Sequence, residues 1–127
     1  MIIGYAYLVG DVLHFGHIQH LKNCKALCDK LIVGVLTDGA CMEKKQKPII
    51  LFKERMELVT ELKSVDSVVT QEKYSPIENL QAIQPDIFFE STSHKPPVEN
   101  PWGRTIVMPY FPEQSSSKIK EKIRGKS

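Results

Sequence analysis

Nowhere in the 127 residues do eighteen apolar residues run together, and the amino terminus lacks the basic stretch and apolar core of a secretion signal. Neither a helical membrane span nor export is therefore expected. Cysteine is scarce: Cys24, Cys28 and Cys41 are an odd number, which points to a reducing cytoplasm. Charge is nearly balanced at +2, and the excess sits at one end. Residues 118 to 127 carry four lysines and one arginine against one glutamate, leaving −2 for the rest. A protein that grips a nucleic-acid backbone needs a broad basic surface, so no nucleic-acid partner is expected. Cations in the last turn of a helix oppose its macrodipole and need no further purpose. No segment repeats, and no second domain is marked. Cys24 and Cys28, four apart and preceded by His17 and His20, raise a metal site. His17 and Cys28 would stand about 16 Å apart along one helix at ~1.5 Å per residue, so they cannot share an ion. The two cysteines read instead as small apolar side chains.

What is present is an alternation of strand and helix patterns. IIGYAYLV (2 to 9) reads as a buried strand, and 17 to 30 as a helix with Ile18, Leu21, Cys24 and Cys28 on one face. LIVGVLT (31 to 37) is apolar throughout, as a central parallel strand covered on both sides should be. A polar, lysine-bearing loop follows from 38 to 51. Met56, Val59 and Leu62 make 52 to 64 helical, and DSVVT (66 to 70) is a third strand. Ser75 suits an N-cap, Pro76 the first helical position, and Pro85 lies just past that helix. DIFFE (86 to 90) and RTIVM (104 to 108) are strands four and five, joined by a proline-rich loop from 91 to 103; SSSKIKEKI closes the chain as a helix.

Linkers too long for hairpins imply βαβ crossovers. The expected fold is α/β: a single Rossmann-like domain over residues 1 to 127, with a five-stranded parallel sheet in order 3-2-1-4-5 and helices on both faces. In such a sheet the ligand lies outside the carboxyl ends of the strands, where the strand order reverses. Residues 10 to 17 and 90 to 94 are therefore expected to face one pocket.

The segment GDVLHFGHIQHL (10 to 21) falls at that place. A helix amino terminus welcomes an anion, Gly16 lets a phosphate approach the backbone, and His14 and His17, three apart, can aim donors at the same phosphate. Histidine can also add positive charge where negative charge builds up in a nucleotidyl-transfer transition state. On spacing alone, two cap or surface histidines explain the pattern as well.

His14-Phe15-Gly16-His17 after a first strand resembles the H-x-G-H signature of the cytidylyltransferase-like nucleotidyltransferases. The likeness continues through Leu36 to Asp38, the lysine-rich loop, Lys53 to Arg55, the stretch around Asp66 and SSSKIKEKI, all similar to the glycerol-phosphate and phosphonate cytidylyltransferase branch. The resemblance implies transfer of CMP from CTP, with Mg²⁺, to a small phosphorylated alcohol or phosphonate. A phosphate oxygen of the acceptor attacks directly, and pyrophosphate leaves. An ATP-dependent adenylyltransferase and a nucleotide-binding module without turnover are the alternatives. By the same resemblance His14, His17 and Lys44 are catalytic. Val9, Gly10, Asp11, Gly16, Asp38, Lys47, Arg55, Glu90, Ser115, Ser116, Ser117 and Lys118 bind the nucleotide, and the enzyme is a homodimer. Asp11 is read as holding its loop by side-chain hydrogen bonds, and Arg55 as pairing with Glu54 or Glu57 if it does not meet nucleotide. Tyr74, His94 and Trp102 are candidates for an acceptor pocket.

Three departures stand out against the family pattern. Leu8, Val9 and Gly10 replace its glycine, threonine and phenylalanine. Strand four runs into Glu90-Ser91-Thr92 in place of Gly-Asp. Residues 110 to 114 lack its phosphate-binding arginine, for which Lys118 or Arg104 could substitute.

Overall fold

In the computed structural model, residues 1–91 and 98–108 are described. The helix expected to close the chain, with Ser115, Ser116, Ser117 and Lys118, and the candidate acceptor residue His94 lie outside them. The chain runs β1 (Ile3–Leu8), α1 (Phe15–Lys25), β2 (Lys30–Leu36), α2 (Asp38–Met42), α3 (Phe52–Thr60), β3 (Ser67–Gln71), α4 (Ile77–Ile83), β4 (Ile87–Ser91) and β5 (Arg104–Met108). The five strands pair in parallel in the order β3-β2-β1-β4-β5, as expected.

Strand side chains alternate between faces, and the two faces bury different cores. Ala6, Leu31, Val33, Val35, Ile87 and Phe89 pack with Leu21 and Cys24 of α1 and Val59 of α3. Tyr5 and Phe88 pack with Leu80 of α4, flanked by Tyr7, Ile32, Val69 and Val98. The chain moves outward through β2 and β3, then returns to β4. That reversal sends α4 over the face opposite α1 and α3. Gly34 belongs to this second face: a Cβ there would stand 1.9 Å from the Tyr5 hydroxyl, which Gln71 Oε1 accepts at 2.5 Å.

Four local expectations are corrected. α1 stops at Lys25, where Leu27 N and Cys28 N bond the Cys24 and Lys25 carbonyls and the chain turns into β2. Ile18 is largely exposed; at about 100° per residue it leads Leu21 by ~60° and Cys24 by ~120°, beyond the buried stripe. The loop after β2 contains a helical turn, α2, because the Thr37 hydroxyl accepts from Ala40 N at 3.1 Å. α4 begins at Ile77 with Pro76 as its cap, since Ser75 Oγ meets Ile77 N only at 3.4 Å.

Candidate functional site

His14 ends the turn after β1 in an extended conformation and caps α1. Its Nδ1 accepts from Gly16 N at 2.9 Å, and His17 Nδ1 accepts in return from His14 N at 3.2 Å. This is the reciprocal capping box usually made by Ser or Thr with Glu or Gln, built here from two imidazoles whose ring centres are 4.1 Å apart. A ring nitrogen that accepts a hydrogen bond carries no proton, so each neutral ring holds its hydrogen on Nε2. The cap thereby orients two Nε2–H donors. His14 Nε2 is buried and, among the described residues, has no hydrogen-bond partner. A buried donor left in that state is costly unless an acceptor comes to it. Burial also holds the His14 pKa below its ordinary value.

This geometry revises two expectations. His14 rests as a neutral donor rather than a cation, because desolvation and the accepting Nδ1 both oppose a second proton. Nor are the first amides of α1 bare: Gly16 N is taken by His14 Nδ1, and His17 N and Ile18 N reach the His14 carbonyl at 3.0 and 3.3 Å. What α1 offers an anion is its dipole and the imidazole edges.

The turn that delivers His14 has two left-handed residues, Gly10 at φ 77° and Val12 at φ 53°. For a β-branched residue that conformation is strained and must be held by its surroundings. Asp11, between them, supplies the hold. It is buried, and its Oδ2 and Oδ1 accept from Ile49 N and Ile50 N, both at 2.8 Å. The turn after β1 and the far end of the lysine loop are thus tied together, the loop-holding task expected of Asp11.

Arg55, in the first turn of α3, is fully buried. Nη1 donates to the Val9 and Leu36 carbonyls at 2.6 Å each, Nη2 to Asp38 Oδ1 at 2.6 Å, and Nε to the Ile50 carbonyl at 3.1 Å. Four of its five N–H donors are committed, to the ends of β1 and β2, to α2 and to the loop. This is a positioning task in place of the nucleotide contact, or the pairing with Glu54 or Glu57, that the sequence suggested. The physical reason is that strand-end carbonyls and one carboxylate converge where only a planar cation can satisfy them all. Val9 and Asp38 serve in that network.

Lys44 and Lys47 are exposed on the loop after α2. Among the described residues, no hydrogen bond or ion pair joins either side chain to the histidines; the ion pairs present are Lys25–Asp66 and Arg55–Asp38. Glu90 is buried at the carboxyl end of β4 and accepts from Tyr7 Oη at 3.3 Å and Val98 N at 3.2 Å. Because β1 and β4 are parallel neighbours, Gly10 and Glu90 lie on the same edge of the sheet, but Glu90 belongs to the α4 face with Tyr7. Tyr7 was not singled out in the sequence, where it reads as one more apolar strand residue; only its place at the strand-order reversal marks it. The hollow lined by Ile50, Glu54, Glu57 and Leu58 carries two carboxylates and does not suit a phosphate. No cluster of three or more His, Cys, Asp or Glu side chains is set to hold a metal among the described residues, and no helix there is long and apolar enough to cross a membrane.

A model of the family described as cytidylyltransferase-like matches residues 10–122. The bifunctional protein HldE of Helicobacter pylori strain P12 is 36% identical over 119 residues, which is 90% of this chain and 26% of that protein. The HldE of Caulobacter vibrioides is 33% identical over 110 residues, 85% of this chain and 22% of its own length. The chain thus spans about a quarter of these curated relatives. The crystal structure of a lipopolysaccharide core biosynthesis protein from Thermoplasma volcanium covers 98% of this chain and 88% of its own, with a TM-score of 0.70 at 27% identity. A pantoate-beta-alanine ligase from Francisella tularensis, with a TM-score of 0.58 at 13% identity over 97% of this chain and 69% of its own, shares the fold. These similarities support the family and not its glycerol-phosphate branch.

Proposed function

The chain belongs to the cytidylyltransferase-like family, and from that premise we propose that it transfers a nucleotidyl group from ATP to the phosphate of a small sugar-type acceptor. An acceptor phosphate oxygen attacks the α-phosphorus, the bond to the β-phosphate oxygen breaks, and pyrophosphate leaves; no covalent link to the protein is formed. The observation that carries this reading is the histidine cap, with two Nε2–H donors fixed at the helix end beside the sheet's reversal point. Donors held in place before the reaction stabilise charge on the phosphoryl oxygens without reorganising.

Donor and acceptor follow the relatives. With the glycerol-phosphate branch unsupported, CTP loses its warrant, and ATP is the other donor the same corner serves. One structural neighbour is described as a lipopolysaccharide core biosynthesis protein, which supports a sugar phosphate over a phospho-alcohol. Magnesium, implied by the family, would be held chiefly by the triphosphate itself and would supply charge neutralisation on its oxygens. Asp11 spends both oxygens on backbone amides, so phosphate oxygens and water would supply most ligands, as is common for this ion. Lys44 and Lys47, on the exposed loop whose far end is tied to Asp11, would close on the phosphates in this reading. Dimerisation remains part of this reading.

Thermal-shift titrations with ATP, CTP, GTP and UTP, each with Mg²⁺, test the donor, because a ligand that binds only the folded state raises the melting temperature. ATP is expected to raise it most; an equal response to all four, or a preference for CTP, refutes ATP selectivity. Pyrophosphate release is then measured with ATP and a panel of sugar phosphates. Release with none of them, despite ATP binding, makes the chain a nucleotide-binding module.

A further inference from the structure

We infer that Tyr7, Tyr74 and Glu90 form the seat for the hydroxyl groups of a polyhydroxylated phosphate ester, on the α4 side of the crevice opposite the histidine pair. The inference rests on the proposed function and adds to it which residues select the acceptor. Three segments of the carboxyl edge supply these side chains. Tyr7 comes from the end of β1, Glu90 from the end of β4 and Tyr74 from the loop after β3, whose backbone amide is tied to Glu43 Oε2 at 3.1 Å. Glu43 caps α2 and directly precedes Lys44, so that tie sets the lysine loop beside the cluster.

The chemistry of the three side chains suits hydroxyl groups. Tyr7 and Tyr74 are half-buried, and burial is the main cause that raises each phenol pKa; the Glu90 charge adds next for Tyr7, and for Tyr74 Cys41 adds before Glu90 does. They therefore remain neutral and able both to donate and to accept. Glu90 is an acceptor, and its bond from Tyr7 Oη, at 3.3 Å, is longer than the roughly 2.5–2.7 Å of a charge-assisted O–H···O⁻ contact. A sugar hydroxyl can accept from the phenol and donate to the carboxylate, shortening both contacts. An anionic group is repelled from the same spot. The acceptor is thereby oriented, with its phosphate directed toward the lysine loop and the imidazole edges and its hydroxyls toward Glu90. A buried carboxylate with this environment is also a poor choice for a purely apolar core position.

The experiment is isothermal titration of the full chain with inorganic phosphate, glycerol 3-phosphate, a panel of aldose phosphates, and ATP, repeated for Glu90→Gln and Tyr7→Phe. Both variants keep side-chain size, and Gln retains an acceptor for Val98 N. The wild type is expected to bind at least one aldose phosphate about tenfold or more tightly than inorganic phosphate, and each variant to lose most of that margin while its ATP and inorganic phosphate affinities stay unchanged. Several outcomes overturn the inference: no aldose phosphate bound better than inorganic phosphate, a margin the variants leave intact, or a matching loss of ATP affinity, which would make the cluster a nucleoside seat. Failure of the proposed reaction reads out separately, as ATP that binds without pyrophosphate release while the aldose-phosphate margin persists.

Discussion

Replacing Arg55 with alanine should destabilise the fold far more than it alters any ligand contact. The guanidinium is fully buried and serves three carbonyls and one carboxylate. Asp38 has a side chain 38% exposed and can be rehydrated, so its lost partner contributes little. The Val9, Leu36 and Ile50 carbonyls are the larger part, because Leu36 is buried and water reaches it poorly. Removing one side of a buried charged network costs about 3–5 kcal/mol, a large share of the ~5–15 kcal/mol that holds a typical domain together. For a chain of this length that is a fall in melting temperature of about 15 °C. Asp38→Asn, which retains an acceptor for the same donor at a half-exposed site, should cost under about 1 kcal/mol. Urea denaturation of both variants, with ATP affinity measured on the folded fraction, checks this. An Arg55→Ala protein that melts within 3 °C of the parent while losing ATP binding would refute the positioning role and put the guanidinium at the ligand.

His14→Asn separates capping from catalysis: asparagine keeps an N-cap acceptor for Gly16 N but has no Nε2–H. Its melting temperature should stay within a few degrees of the parent, while kcat for pyrophosphate release falls about a hundred- to a thousand-fold; unchanged kcat would remove His14 from the chemistry. Acid should loosen the fold in a defined window. The pKa values of His14 and His20 lie below 6.5 in the folded chain, in both cases through burial, so between the folded and unfolded values the unfolded chain binds more protons and stability rises with pH. The urea midpoint should therefore be flat above pH ~6.5 and drop as pH falls below it. Asp66, whose pKa is lowered first by Lys25 and then by Leu31 N, contributes stability that is lost only as pH falls below ~3.8, outside that window. His14→Asn should flatten the drop in part, and a midpoint that rises on acidification contradicts the assignment.

The strands and their order were legible because their causes are local or general. An all-apolar LIVGVLT allows only a strand covered on both sides, and long linkers allow only parallel crossovers. The helix borders were less legible: α1 stops early because the chain must turn back to place Asp29 N and Lys30 N on the Ile2 carbonyl, a contact invisible along the sequence. The site divides in the same way. His14 and His17 were found from spacing and position, and their Nε2–H tautomer only from the hydrogen bonds made by Nδ1. Arg55 reads from the sequence as a nucleotide ligand, or else as a helix-surface partner of Glu54 or Glu57, since nothing local shows that the Val9, Leu36 and Ile50 carbonyls converge on it.

Periodicity and punctuation by themselves determined a doubly wound α/β chain with a histidine pair at the mouth of its sheet, because a residue's preference for strand, helix or cap depends on near neighbours. Tertiary structure alone decided which polar groups hold the scaffold and which leave a donor unspent, as His14 Nε2 does among the described residues. That choice depends on the acceptors and donors brought together at the carboxyl edge by β1, β2, β3 and β4, and in a low-dielectric interior each buried charge goes to the partners that can satisfy it.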